Sequence, residues 1–571
     1  MQQPVAADPQ TVSSTLEHLQ TLWHQPDALE ADRAAAKAWF DALDFSNRFL
    51  LDPEHPVIFI GEVGVGKSSL AAVAARLTLG DDAPSDKSRL KSQSLLAIGA
   101  GRTTVCEVRV RAYDPSRDAG PLGLQIEALD AAEMQRVIDL WAEDEWRRRQ
   151  PGTRSSDDTM PTPQEVARAL RMMAGYGESV VSYKDGEVTR RRTVQPLDAL
   201  VPQYSNARDL AAHLLERINL PSRTRLAWDW PEVTAATKAA LKEKVEAVNL
   251  GSEPSATLPL RMTLVLPGVM DDIAQELGLR LSLVDTRGLE AGVGLFGRAD
   301  LQEFVANPRA VLVLCAPFKA APGDPIRNFL LAVQADARWR AALPRILLVL
   351  LDHGDADQVN GASGDRLFGQ AIKIDECRTV LSDVGLNSLQ PAQIIAMDVL
   401  ADPRERLVEA LEGRFRPLRE QKQRERSQQL TDAREFLQLR GEPKRAELQA
   451  RVDAEIKRVL AEHLRDGVPM SDPLKGLRDA IDGTRYASVV YASCRRNGFY
   501  RGLDLYQAIR AEASRSMTTW LGPSVDAVLS RLEALEDDSE FSEVADVLRL
   551  RHHQFFNGKI DAVVSYSDAV E

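Results

Sequence analysis

The sequence predicts an α/β protein. It has a central, mostly parallel sheet interrupted by a large, mainly helical insertion, a helical segment before it and a helical domain after it. Three observations carry this. Strand-length apolar runs alternate with helical periodicity in two stretches, 51–112 and 257–413. Between them, over 113–256, helical patterning takes over. From 414 to 571 charged helical patterning dominates, and no convincing strand is visible. Residues 1–50 read as a separate helical segment. A length of 571 residues suits several such units.

Each element has a local reason. Leu16, Leu19 and Trp23 share one helical face, as do Ala36, Trp39 and Phe40. A Pro-bearing segment, DPEHP, then separates helix from an apolar strand at Val57–Ile60. A Gly-rich turn follows, then a helix from Lys67. After loop-like 80–102, a β-patterned run spans Thr103–Val110. In the insertion, helices are expected at 131–149, 164–173, 207–218 and 234–248. A hairpin is expected at Ser179–Tyr183 and Val188–Val194, around Asp185-Gly186. Trp141, Trp146, Trp228 and Trp230 lie here and suggest a core of its own. Strands then recur near 261–266, 280–284, 310–314, 345–351 and 393–397, with helices near 300–305, 326–338, 368–381 and 403–413. In the tail, Leu448, Val452, Ile456, Val459 and Leu460 share a helical face.

Composition excludes several classes. Lys plus Arg number 71 against 84 Asp plus Glu, a net charge of −13. A chain this acidic is not built globally to wrap nucleic acid or an anionic membrane, so such contacts must be local. Four cysteines lie far apart with no CxxC pair, which argues against a zinc site and fits a reducing, cytoplasmic setting. No basic-then-apolar leader opens the sequence. No apolar run approaches the roughly 20 residues of a spanning helix, which leaves peripheral membrane contact open.

The strongest motif is Gly61-Glu62-Val63-Gly64-Val65-Gly66-Lys67-Ser68, a complete GxxxxGK[ST], followed by Ser69. It stands after an apolar strand and before a helix, where a phosphate-binding loop belongs. Successive backbone N–H groups can curl around phosphates there, and the helix start adds its positive end. Lys67 would reach the β- and γ-phosphates, and the Ser68 hydroxyl would sit on Mg²⁺. With these residues the chain resembles the P-loop NTPase superfamily.

Two further segments resemble the GTPase-like branch, which includes translation-factor-type and dynamin-like proteins. The strand Leu281–Val284 ends in Asp285-Thr-Arg-Gly288, like that branch's DxxG switch. The resemblance implies that Asp285 holds Mg²⁺ and that the Gly288 N–H meets the γ-phosphate. Arg102-Thr103-Thr104 enters the second strand where the other switch threonine belongs. Thr104, or else Thr103, would complete the metal shell, and Arg102 stands where some members carry a built-in arginine finger. The resemblance thus implies Mg²⁺ with GTP or ATP, and a conformational switch or motor acting on helical arms. It also makes the strand ending at Arg111 and the strand starting at Arg280 hairpin neighbours. About 165 residues then separate them, far beyond ordinary connections, so they should form an inserted domain.

The sequence also departs from that branch. After the fifth strand comes Asp352-His353-Gly354-Asp355 rather than [NT]KxD. Asp355 falls at the base-reading position, but the Asn/Thr and Lys are absent, and Asp352 is alternatively only a turn residue. Leu289 follows Gly288 where Ras-like proteins have a water-positioning Gln, and Gly64 stands near where potassium-dependent members carry Asn. No strand ends in Asp-Glu, which argues against the ATPase classes that use that Glu as base. Two alternatives to a hydrolysing switch follow: an assembly component that binds nucleotide but scarcely cleaves it, and a nucleic-acid-associated ATPase of a bacterial defence system. Basic clusters at 147–149, 190–192 and 414–426 and the segment Arg495–Arg501 are candidate contact surfaces, or else solvated helix faces and helix packing. Protein partners or self-assembly through the helical parts are expected.

Overall fold

The computed structural model describes residues 9–439 apart from 27, 29, 81–83, 85, 97, 99–105, 150–161, 186–187, 290–297 and 387–388, together with isolated positions beyond 440. Eleven strands matter here: β1 Glu54–Gly61, β2 Glu107–Ala112, β3 Leu122–Ala128, β4 Ser179–Asp185, β5 Val188–Val194, β6 Ala227–Trp230, β7 Pro259–Leu266, β8 Arg280–Asp285, β9 Val311–Pro317, β10 Ile346–Asp352 and β11 Ile394–Asp398. Nine of them form one sheet in the order β11-β10-β9-β1-β8-β2-β7-β3-β6.

The sheet is mixed. From β11 to β8 every pairing is parallel. β2 runs antiparallel to β8, with Val108 opposite Asp285 and Val110 opposite Leu283. β7 is parallel to β2, and β3 and β6 continue antiparallel. The long segment between β2 and β8 therefore departs from and returns to neighbouring strands.

Alternation explains the two-sided core. Val57, Phe59, Leu281, Leu283, Val313, Val349 and Leu351 face one layer, which also holds Leu70 of the helix Lys67–Ala74 and Phe415 of the helix Glu405–Leu439. Ile58, Ile60, Val284, Leu312, Leu314, Leu348 and Leu350 face the other, with Leu301, Phe329, Leu330 and Cys377 of the helices Ala299–Ala306, Asp324–Ala335 and Arg366–Asp383. Each such side chain fully withdrawn from water contributes about 1.5–3 kcal/mol. β10 is buried along its whole length, as its uninterrupted apolar run requires of a strand covered on both faces.

The segment 113–256 is less purely helical than its pattern suggests, because β3 and β6 join the central sheet. Leu122, Leu124 and Ile126 alternate with Gly123, Gln125 and Glu127, a short period-two pattern, while β6 has only four residues. The four tryptophans divide accordingly. Trp141 centres a cluster with Ile138, Leu170, Leu210 and Leu214, and Trp146 packs at its margin. Trp228 and Trp230 belong to the sheet core instead, packed with Leu241 and Val245 of the helix Ala235–Asn249. β4 and β5 form the expected hairpin.

At the far end, the helix Glu405–Leu439 runs unbroken across position 413 and contains Pro417. Proline has no N–H, so the Gly413 carbonyl loses its helical partner there. The helices Pro9–His24 and Glu30–Leu51 pack along its outer half: Leu19, Leu22, Ala36 and Trp39 meet Ala433 and Phe436. The apolar face at 448–460 lies outside the described residues. Beyond 440 a short antiparallel pair, Phe499–Tyr500 with Leu503–Asp504, stands where helix packing was expected. Among the described residues no helix is long and apolar enough to cross a membrane.

Candidate functional site

The loop after β1 turns at Gly64 and Gly66, both at positive φ, and delivers Lys67 and Ser68 at the start of the helix Lys67–Ala74. Both side chains reach one carboxylate. Lys67 Nζ donates to Asp285 Oδ1, and Ser68 Oγ donates to Asp285 Oδ2 at 2.7 Å. Lys67 and Asp285 are 7% and 1% exposed, so this ammonium–carboxylate pair is shielded from water. It lies where β1 and β8 run side by side, with Phe59 opposite Asp285.

The Asp285–Leu289 segment is fastened to the loop along its length. Thr286 is buried, and its N–H and Oγ1 both donate to the Phe59 carbonyl, at 3.3 and 2.8 Å. The Leu289 N–H donates to the Gly61 carbonyl at 2.8 Å, and Glu62 and Leu289 form a parallel bridge. Gly288 lies directly on Val63: a β-carbon on it would come within 2.5 Å of Val63 Cγ2 and 2.9 Å of Val63 Cα. Only glycine fits there. Leu289 itself is 6% exposed and packs into the core beneath.

The turn after β10 forms the third side. Asp352 is fully buried, and its Oδ1 accepts the N–H groups of Gly354, Asp355 and Ala356 at 3.0, 2.8 and 3.2 Å. This is the turn-residue alternative. His353 then lies against the loop after β1: its Nε2 is 3.2 Å from the Val65 carbonyl, which requires the Nε2–H tautomer if the ring donates. Asp355 is ion-paired with Lys319 at 3.0 Å. Glu62, half-buried, sits beside Gly323, and burial with Asp324 nearby pushes its carboxyl above the ordinary carboxylate value.

The structure thus brings together Gly61 to Ser68, Asp285 and Gly288, and places Asp355 in the turn whose His353 meets Val65. Ser69 lies one position further along the same helix. Arg102, Thr103 and Thr104 lie outside the described residues. Sequence reasoning missed His353, Lys319 and the Val63–Gly288 contact. The signal for His353 was its place two residues before Asp355, where the resemblance asks for Lys. Of the basic clusters, Arg147 pairs with Glu143, Arg149 with Glu145 and Asp198, and Arg416 with Glu276. Arg414, Arg419 and Arg426 are partly buried.

No family model matches the chain, and no curated protein matches it. Among solved structures, two chains described as an oligomerised bacterial dynamin pair that provides a mechanism for long-range sensing and tethering of membranes are similar to it at 12% identity. One match covers 99% of this chain and 77% of that one at a TM-score of 0.32, the other 100% and 76% at 0.31. A superposition this loose does not assign the chain to a family.

Proposed function

We propose that this protein binds a nucleoside triphosphate with Mg²⁺ at the loop Gly61–Ser69 and uses the bound state as a GTPase-like switch acting on its helical parts and on protein partners. One observation carries the reading: Lys67 and Ser68 converge on opposite oxygens of Asp285. A cation and a hydroxyl at a helix start, with a carboxylate at the neighbouring strand end, are the groups that phosphate and Mg²⁺ require.

The donor set fits Mg²⁺. Ser68 Oγ and the Asp285 carboxylate are hard oxygen ligands within 2.7 Å of each other. Among the described residues no group of three metal-ligating side chains occurs. That suits an ion held mainly by phosphate oxygens and water, with one or two protein ligands. When bound, the ion would neutralise phosphate charge. The chain's own part is to supply the Lys67 ammonium, which would exchange Asp285 for phosphate, and the loop N–H groups that orient the chain of phosphates. Gly288, seated on Val63, would place its N–H beside the terminal phosphate.

A second reading, binding with little unaided hydrolysis, is favoured by Leu289. Buried and bonded to Gly61, it has neither the polar group nor the freedom to position water. We propose that cleavage, where it occurs, depends on a group from elsewhere, such as Arg102 or a partner. Asp355, with Lys319, would read the base. Single-turnover hydrolysis of GTP and ATP by the purified chain tests this: rapid unaided turnover, at about 1 s⁻¹ or faster, contradicts the slow-hydrolysis reading.

A further inference from the structure

The turn bearing His353 and Asp355 is joined to the base of the long helix by a buried polar chain. Gln370, in the helix Arg366–Asp383, is fully buried. Its Nε2 donates to Asp352 Oδ2 at 3.3 Å and to Asp402 Oδ2 at 2.9 Å. Its Oε1 accepts from Arg406 Nη1 at 2.6 Å. Both amide hydrogens and the carbonyl are therefore used, which fixes the amide orientation.

The two oxygens of Asp352 have separate tasks. Oδ1 folds the turn by accepting three backbone N–H groups, and Oδ2 faces Gln370. Asp402, also buried, accepts the Asp398 N–H at 2.7 Å and Arg366 Nη2 at 2.7 Å, so it ties the end of β11 to the same point. Arg406 lies in the first turn of the helix Glu405–Leu439. Packing leaves no slack: a β-carbon on Gly369 would come within 1.8 Å of the Ala356 carbonyl, so the helix carrying Gln370 presses on the turn. A second tie flanks this one. Arg404 donates to the Ala74 carbonyl at 2.7 Å, at the end of the helix that Lys67 begins, and to both oxygens of Asp272.

We propose that Gln370 is the positioning residue through which the state of the phosphate loop reaches the long helix. The route is Val65, His353, Asp352, Gln370, then Asp402 and Arg406. Its regulatory sense rests on the nucleotide-site reading above. A shift of His353 against Val65 moves the backbone of Asp352. A buried carboxylate cannot leave its donor without a desolvation cost, so the Gln370 amide and the Arg406 guanidinium follow. The Gln370 amide and the Asp352 and Asp402 carboxylates are all hydrogen-bonded, and a buried cluster held this way has discrete arrangements rather than a continuum, which is what a relay requires.

The test is hydrogen exchange on the full chain, read on peptides covering 402–415, in the native protein and in Gln370→Met. With GTP or ATP and Mg²⁺, exchange there changes by about 5-fold or more in the native chain. Gln370→Met binds the same nucleotide within about 3-fold, because Asp352 Oδ1 still folds the turn, and loses the exchange response. An unchanged response in Gln370→Met overturns the relay. If the native chain binds neither nucleotide, the site reading fails, and a nucleotide-free arm still decides the relay. There, His353→Ala alters exchange at 402–415 in the native background and leaves it unaltered in the Gln370→Met background; equal changes in both overturn it. Should Gln370→Met not unfold cooperatively, Gln370→Ala, whose space water can enter, replaces it in both arms.

Discussion

Ser68 Oγ donates a 2.7 Å hydrogen bond to Asp285 Oδ2 across 217 residues of sequence, while Lys67 holds the other oxygen of the same carboxylate. Two strands make this possible: β1 ends in the loop that carries Lys67 and Ser68, and its parallel neighbour β8 ends on Asp285.

Removing one member of that pair leaves an uncompensated buried charge. Asp285→Ala should destabilise the fold by about 3–5 kcal/mol. Asp285→Asn, which keeps the shape, one acceptor oxygen for Lys67 and an NH₂ that can donate to the Ser68 hydroxyl, should cost less. Denaturant unfolding of both variants checks the order. A loss under about 1 kcal/mol for Asp285→Ala would show the pair to be energetically idle.

Gly288→Ala should displace the Asp285–Leu289 segment from the loop that carries Val63, at a cost of about 1–3 kcal/mol for overpacking. Combining it with Val63→Gly should recover only part of the loss. The clash with Val63 Cγ2 at 2.5 Å disappears, but the Cα and N of residue 63 remain at 2.9 and 3.0 Å. A double-mutant cycle on unfolding free energy reads this coupling; strict additivity would separate the two residues.

Glu62 titrates above its ordinary value because burial and Asp324 disfavour its charge. For a carboxyl raised in the folded state, the stability carried by the protonated form is full below the ordinary carboxylate value and is lost as pH rises through the raised one. Glu62→Gln should therefore be more stable than the native chain near pH 7, with the difference closing as pH falls below about 4. The same change removes a negative charge from the Gly61–Ser69 loop itself and should tighten the proposed nucleotide binding. Unfolding midpoints across pH 4–8, with nucleotide titrations at pH 7, measure both; a native chain more stable than the variant at neutral pH would contradict the argument.

His55 behaves oppositely. Fully buried near the start of β1, its ring meets Phe49 and Phe415 edge-on, with Arg309 and Arg419 close by. Burial lowers its pKa from 6.5 to about 4. A lowered imidazole pKa means that the unfolded chain takes up the proton first, so stability falls as pH drops from about 6.5 toward 4, by about 3 kcal/mol in all. His55→Phe should remove that part of the acid sensitivity. The difference between the two unfolding curves over this range isolates it from carboxylates common to both.

The strand–loop–helix turn at Gly61–Ser69 was legible because its residues are contiguous and flanked by strand and helix patterns. Asp285 was legible because an apolar strand ends on it. His353 was not, since its contact with Val65 depends on where β10 stops relative to a loop some 290 residues earlier. Gln370 offers no sequence signal at all; a buried glutamine in a helix becomes informative only when Asp352, Asp402 and Arg406 are seen around it. β3 and β6 escaped notice for a local reason. β6 has only four residues, and Gly123 in β3 and the charged Asp229 in β6 dilute the strand pattern that Leu122, Leu124 and Trp228 set.

The most direct test of the nucleotide site is calorimetric titration of the native chain and Lys67→Ala with GTP and with ATP, in the presence and absence of Mg²⁺. The geometry predicts Mg²⁺-strengthened binding of at least one nucleotide by the native chain. It also predicts a loss of about 100-fold or more in folded Lys67→Ala, since a charged hydrogen-bond donor to phosphate is removed from a shielded site. Equal Mg²⁺-nucleotide affinity in the two proteins, or no binding of either nucleotide by the native chain, would contradict it.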